Sequence, residues 1–149
     1  MRAIVSVFLL IAVTGCGGTS EGPPQHDFIE DPPLWQDYQV AYAETINLAE
    51  FVGIEFQAVE EDTRCPTGAQ CLTQGNARIR IKATTPRGDT ILWLNTDTTL
   101  QTSTLFDYYG ITLRKLEPYP TIDPQTGSST IPLSSYVATV FVIKAATPQ

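Results

Sequence analysis

EEDTRCPTGAQCLTQGNARIRIKA, residues 60–83, sets three acids, a two-cysteine loop and an alternating strand side by side. In its second half Ala77, Ile79, Ile81 and Ala83 alternate with Arg78, Arg80 and Lys82. A period of two belongs to a β-strand with one face in a core and the other in water. Upstream, Pro66 presets φ and Gly68 completes a turn, so the chain curls back from Cys65 toward Cys71. With Val59 closing the preceding strand, the stretch reads as a hairpin whose connection runs from Glu60 to Gly75.

Working outward from this hairpin, the same period recurs and the punctuation is dense. Strands are expected at Tyr38–Tyr42, Thr45–Leu48, Gly53–Val59, Ala77–Ala83, Thr90–Leu94, Thr99–Leu105, Ile111–Leu116 and Tyr136–Ile143. Thr85-Pro86-Arg87-Gly88-Asp89, Asn95-Thr96-Asp97 and the stretch Pro118 to Pro132 supply turns. Leu34 to Ala43 has a short helix as its alternative. YVATVFVI, residues 136–143, is apolar at nearly every position, which predicts a central strand covered on both sides. No repeat recurs at a fixed period. The fold class is therefore all-β, a single antiparallel β-sandwich or small β-barrel.

The beginning of the chain has a different character. Arg2 precedes an uncharged, mostly apolar run from Ala3 to Val13, followed by small residues. As a helix that run would rise about 16 Å, roughly half the hydrocarbon core, so it reads as a secretion signal rather than a span. Its end, Val13-Thr14-Gly15-Cys16, resembles the lipobox of bacterial lipoproteins. The resemblance implies removal of residues 1–15, acylation of Cys16 and a partnership with the membrane through that N-terminal lipid. Two or three acyl chains anchor stably where one does not. Gly17, in place of Asp, implies the outer membrane where the cell has one, with the protein facing periplasm or surface. Residues 16–33 form the lipidated N-terminus and a Gly/Pro-rich tether with a coil span of about 22 Å. The β domain is then expected over residues 34–149, in a protein lipid-anchored in the cell envelope.

Three cysteines less the lipidated one leave Cys65 and Cys71, and in an exported protein these are expected to bond to each other. A redox pair is the weaker reading, because five residues intervene and no helix N-terminus is there to lower a thiol pKa. Charge bounds the partners. The formal net charge is −7, and without Arg2 it becomes −8. Nucleic acid is thus not expected as a partner, since phosphate binding rests on cation-rich surfaces. Eleven acids and no Lys or Arg lie between Glu21 and Asp62, whereas eight cations and five acids lie from Arg64 onward. Complementary surfaces within one domain are the simplest use of that division.

The outward row Arg78, Arg80 and Lys82 has three readings: charges that guard an edge strand, partners for Glu55 and the acids at 60–62, or a surface for an anionic ligand. Phe106, Tyr108 and Tyr109 beside Asp107, with Tyr119 near Pro118 and Pro120, suit core packing, or else an apolar groove or a partner surface. Arg78, Arg80, Lys82, Tyr108 and Tyr109 are therefore the candidate binding surface. Glu60 to Asp62 read as a solvated turn rather than a calcium site. The single histidine, His26, lies in the tether, which removes His-based triads and zinc sites from the domain. No catalytic or metal-ligating residue is assigned, and no cofactor is expected.

Asp62-Thr63-Arg64-Cys65-Pro66, then Cys71-Leu72, then Gly75-Asn76-Ala77, resembles a motif in a group of uncharacterised small bacterial lipoproteins with an all-β domain. Thr73 stands where that group commonly has tryptophan. The likeness extends into ITLRKLEPYP and the tyrosine-led strand at 136, and it implies a fold but no activity. The expected function is a non-enzymatic envelope lipoprotein that binds a protein or another envelope component. The alternatives are a carrier of a small apolar ligand and a protease inhibitor presenting the 65–71 loop.

Overall fold

The alternation at 77–83 is realised as drawn from the sequence: Ala77, Ile79, Ile81 and Ala83 are inaccessible to solvent, and Arg78, Arg80 and Lys82 project from the opposite face. The structure, a computed structural model, describes residues 34–144. Cys16, His26 and the expected signal and tether, residues 1–33, lie outside the described residues. Eight strands follow in order: β1 (Gln36–Ala41), β2 (Thr45–Leu48), β3 (Val52–Asp62), β4 (Ala77–Thr85), β5 (Gly88–Asn95), β6 (Ser103–Phe106), β7 (Tyr109–Glu117) and β8 (Val137–Lys144). They form two antiparallel sheets, β1-β8-β7-β6 and β2-β3-β4-β5.

The sheets do not close on one another, so the fold is a sandwich and not a barrel. Val40, Val140, Val142 and Ile111 of the first sheet meet Leu48, Ile54, Phe56, Ile79, Ile81 and Leu94 of the second in one core. Burying each such side chain stabilises by about 1.5–3 kcal/mol, which is why the period-two pattern alone orients both sheets. Leu34 to Ala43 contributes strand β1, not a helix.

Three expectations need correction. Strand β8 is central, between β1 and β7, but only one face is covered: Ala138, Val140 and Val142 are buried while Val137, Thr139, Phe141 and Ile143 are partly open. The cationic strand β4 is interior to its sheet, so its charges guard no edge. They face acids instead. Arg80 pairs with Glu60 on β3 at 3.2 Å, Lys82 pairs with Asp89 on β5 at 2.8 Å, and Arg78 lies in register with Glu61. Lastly, the acidic run is no free turn, because β3 continues to Asp62, in register with Ala77.

Register also gives the sandwich two unlike ends. At the near pole both ends of the described chain lie side by side, with the Trp35 amide donating to the Val142 carbonyl at 2.8 Å. The turns 86–87 and 107–108 and the 3-10 turn Ala49–Phe51 close this pole. The far pole gathers the long connections 63–76, 96–102 and 118–136. At the near pole Asp107 and Tyr108 both take positive φ, 48° and 70°, which matches the twist of a two-residue hairpin. Asp107 is held there by the Thr85 hydroxyl at 2.8 Å and by Arg87 at 3.2 Å, and Arg87 stacks on the Tyr108 ring.

Candidate functional site

A loop as long as 63–76 leaves backbone polar groups without a ladder, and they need partners from elsewhere. The motif residues supply them. Asp62 and Arg64 are two apart on an extended chain and so share a face. Arg64, only 6% exposed, donates from Nε to Asp62 Oδ1 at 2.8 Å and from Nη2 to Oδ2 at 2.6 Å. The same guanidinium reaches the Leu116 carbonyl from Nη1 at 2.6 Å and the Pro118 carbonyl from Nη2 at 3.0 Å. The Tyr136 hydroxyl donates to Asp62 Oδ2 at 2.8 Å, and the Tyr119 ring lies against the Arg64 guanidinium, 5.1 Å from centroid to Cζ. One ion pair thus ties the end of β3 to β7, to the 118–136 connection and to the start of β8.

Electrostatics follow from this geometry. Burial pushes the Asp62 carboxyl up, but hydrogen bonds from Arg64 and Tyr136 and the Arg64 charge outweigh it, and the net shift is downward. Burial first, then donation to Asp62, pushes Tyr136 up to about 12. Neither group is placed to exchange protons near neutrality.

A second brace stands on Asn76. Its Oδ1 accepts from the Thr96 and Asp97 amides at 3.2 and 3.1 Å, and its Nδ2 donates to Asn95 Oδ1 at 2.8 Å. The Thr63 hydroxyl donates to the Asn76 carbonyl at 3.0 Å. Between them Gly75 takes φ +69°, and a Cβ there would overlap the Thr63 carbonyl. Cys65 and Cys71 are disulfide-bonded across the loop. The turn falls one residue later than the sequence suggests: the Ala69 amide donates to the Pro66 carbonyl at 3.0 Å, which makes Pro66 its first residue rather than its second, and Gly68 takes the third position at φ +91°. Thr67 bridges to Thr121 through backbone bonds with Pro120 and Ile122. Asp62, Thr63, Arg64, the Cys65–Cys71 disulfide, Gly75 and Asn76 thus act as scaffolding, and Leu72 does not.

What this scaffolding leaves outward is the candidate site. Leu72 projects fully exposed from the disulfide-held loop. The same pole carries an open groove of about 500 Å³, whose lining includes Arg64, Gln74, Thr96, Asp97, Lys115 and Tyr119 and does not include Leu72. Arg64 is among the groove's lining residues, and one of its five N–H groups, on Nη1, is not engaged by an acceptor among the described residues. Asp97 Oδ1 is engaged by the Thr99 amide and hydroxyl, both at 2.8 Å, and these bonds lower its pKa. The surface can hydrogen-bond and stack, which is recognition chemistry.

The residues singled out from sequence are not brought together. Arg78, Arg80 and Lys82 line the outer face of the second sheet. Tyr108 sits at the near-pole turn, and Tyr109 is buried there with its hydroxyl on Glu50 at 3.0 Å. Sequence reasoning missed Arg64 and Leu72 as far-pole residues, whereas Tyr119, expected as a core, groove or partner-surface aromatic, lines this groove. A signal was present for the first: an Asp and an Arg two apart beside a cysteine share one face of a strand. Among the described residues no cluster of His, Cys, Asp and Glu is arranged to hold a metal ion, and no helix is long and apolar enough to cross a membrane.

Fold and site together define the class, an antiparallel β-sandwich with one disulfide-held loop at its far pole. No protein-family profile matches the chain, and neither curated proteins nor solved structures give a significant match.

Proposed function

We propose that this chain is a lipid-anchored envelope protein whose β domain binds another protein or envelope component, without catalysis, through the far pole. The observation that carries the reading is the placement of the rigid loop with exposed Leu72 at the end of the sandwich opposite Leu34, where the chain enters. A chain moored at Cys16 and continuing through residues 17–33 would reach the near pole first. The far pole would then face away from the bilayer. Buried pairing, an Asn-centred brace and a disulfide fix the loop before binding, which reduces the ordering cost of association.

Buried side chains of both sheets form one core cluster between them, which favours the binding reading over a carrier of small apolar ligands. The test uses the full chain in its own membrane, with photo-crosslinking residues placed at Leu72 and, as control, at Tyr108. Capture of one defined envelope component from position 72 and not from 108 is the expected result. Equal labelling at both positions, or no adduct from either, would sink the proposal.

A further inference from the structure

The sandwich has four edge strands, and they are unequally protected. Strands β2 and β6 have four residues each, and β1 has six with Asp37 near Arg114. Strand β5 has eight, Gly88–Asn95, with continuous register against β4 and no bulge. From Thr90 to Leu94 it carries no charge and no proline. These are the devices by which edges normally discourage pairing, and here they are missing.

The register says which backbone groups lie on the open edge. Thr85 and Gly88 close a two-residue hairpin, so their pair and every second pair after it exchange hydrogen bonds with β4. The amide and carbonyl groups of Asp89, Ile91 and Trp93 therefore point away from the sheet. Two observations agree: the Thr96 amide turns inward to the Ala77 carbonyl, and the Asn95 amide turns outward to the Gln101 carbonyl at 2.9 Å. The 96–102 connection thus ends the free edge at residue 95. Ile91 and Trp93 expose their side chains on the outer face, at 37% and 49%.

We infer that β5 pairs with β5 of a second copy of this chain, antiparallel about a two-fold axis through Ile91, joining the two second sheets into one. In that register Ile91 meets Ile91, and Asp89 of each copy meets Trp93 of the other. All three outward-facing residues on both strands are satisfied. A shift of two residues either way brings residue 95 or residue 87 into the ladder, where one is already bonded and the other lies in the turn. No like charges are opposed, because Asp89 is held by Lys82 and faces an indole. The second copy's Trp93 comes beside that lysine, an arrangement a cation–π contact favours. The occupant is a second copy rather than a foreign peptide because the edge is complementary to itself at every outward position.

The test uses the full chain with single cysteines introduced at the edge. Hydrogen-bonded antiparallel pairs hold Cα atoms about 5.5 Å apart, within the span of a disulfide. Ile91→Cys should therefore form a covalent dimer at least about tenfold faster than Leu105→Cys, an exposed control on the other sheet, since pairing raises the local thiol concentration. Trp93→Cys alone should not cross-link, but mixed with Asp89→Cys it should. Sedimentation of the uncross-linked chain should report a dimer that Ile91→Lys converts to a folded monomer. Equal rates for Ile91→Cys and Leu105→Cys, or a wild-type chain that sediments as a monomer at every concentration, would overturn the inference.

Discussion

The near pole of the sandwich is closed by tight turns whose braces are mostly solvent-facing, such as Arg87 on Asp107 and Lys144 on Glu50. The far pole carries three long connections and holds them with a buried ion pair, an Asn-centred brace and a disulfide. The difference has a physical origin. A two-residue turn inherits order from the ladder it closes, whereas a long connection must satisfy its own backbone groups. Asp, Arg, Asn, Thr, Gly and Cys are concentrated where that need is greatest. What remains exposed there is a rigid surface.

The contrast is broken most severely at Arg64. Arg64→Ala would leave the Asp62 carboxylate partly buried without its cation and two carbonyls without donors, and should cost roughly 3–5 kcal/mol in chemical denaturation. The same clasp contributes to the pH dependence at both ends. Because the Asp62 pKa is depressed, its contribution is present above the ordinary carboxylate value of about 3.9 and is lost as pH falls through the folded value. Because Tyr136 is raised to about 12, its contribution is present below about 10 and is lost between the two as pH rises. In Tyr136→Phe the alkaline loss should shrink in a stability-versus-pH profile, the remainder coming from Tyr109, Lys82 and Lys144, whose pKa values are also raised.

Removing the loop ring by Cys65→Ala with Cys71→Ala should cost about 2.4 kcal/mol on the loop-entropy account, measured against the oxidised wild type. Gly75→Ala sharpens the comparison at a single atom. With φ +69° and the Thr63 carbonyl in the way, it should cost about 1–3 kcal/mol and broaden the amide signals of residues 63–76. At the near pole Arg87→Ala should cost below about 1 kcal/mol, since its guanidinium is largely solvated. An Arg87→Ala loss as large as that of Arg64→Ala would remove the distinction between the poles.

All eight strands were legible, because burial imposes the period of two wherever one face is covered. Boundaries slipped where local side-chain bonding beat propensity. Thr99 to Leu105 has strand-forming residues, yet β6 begins only at Ser103, because the Asp97 carboxylate captures the Thr99 amide and the Leu100 amide donates to the Asp97 carbonyl. The acidic run misled in the same way. Glu60, Glu61 and Asp62 look alike in sequence, but Asp62 alone shares a face with Arg64 and turns inward. Strand order was not readable, since alternation assigns faces and says nothing of neighbours; that β8 enters between β1 and β7 is a long-range fact. The disulfide was legible from the count of cysteines, whereas the groove depended on bringing together residues 64, 74, 96 and 119.

The amide of Trp35 and the carbonyl of Val142 are bonded across one strand spacing, about 4.8 Å, so the backbone leaves the sandwich almost where it came in. Such a body behaves topologically as a closed loop. It can be spliced into a surface turn of a host protein through two short linkers at little closure entropy. Grafted in this way, it would carry its disulfide loop outward like a lamp on a stalk.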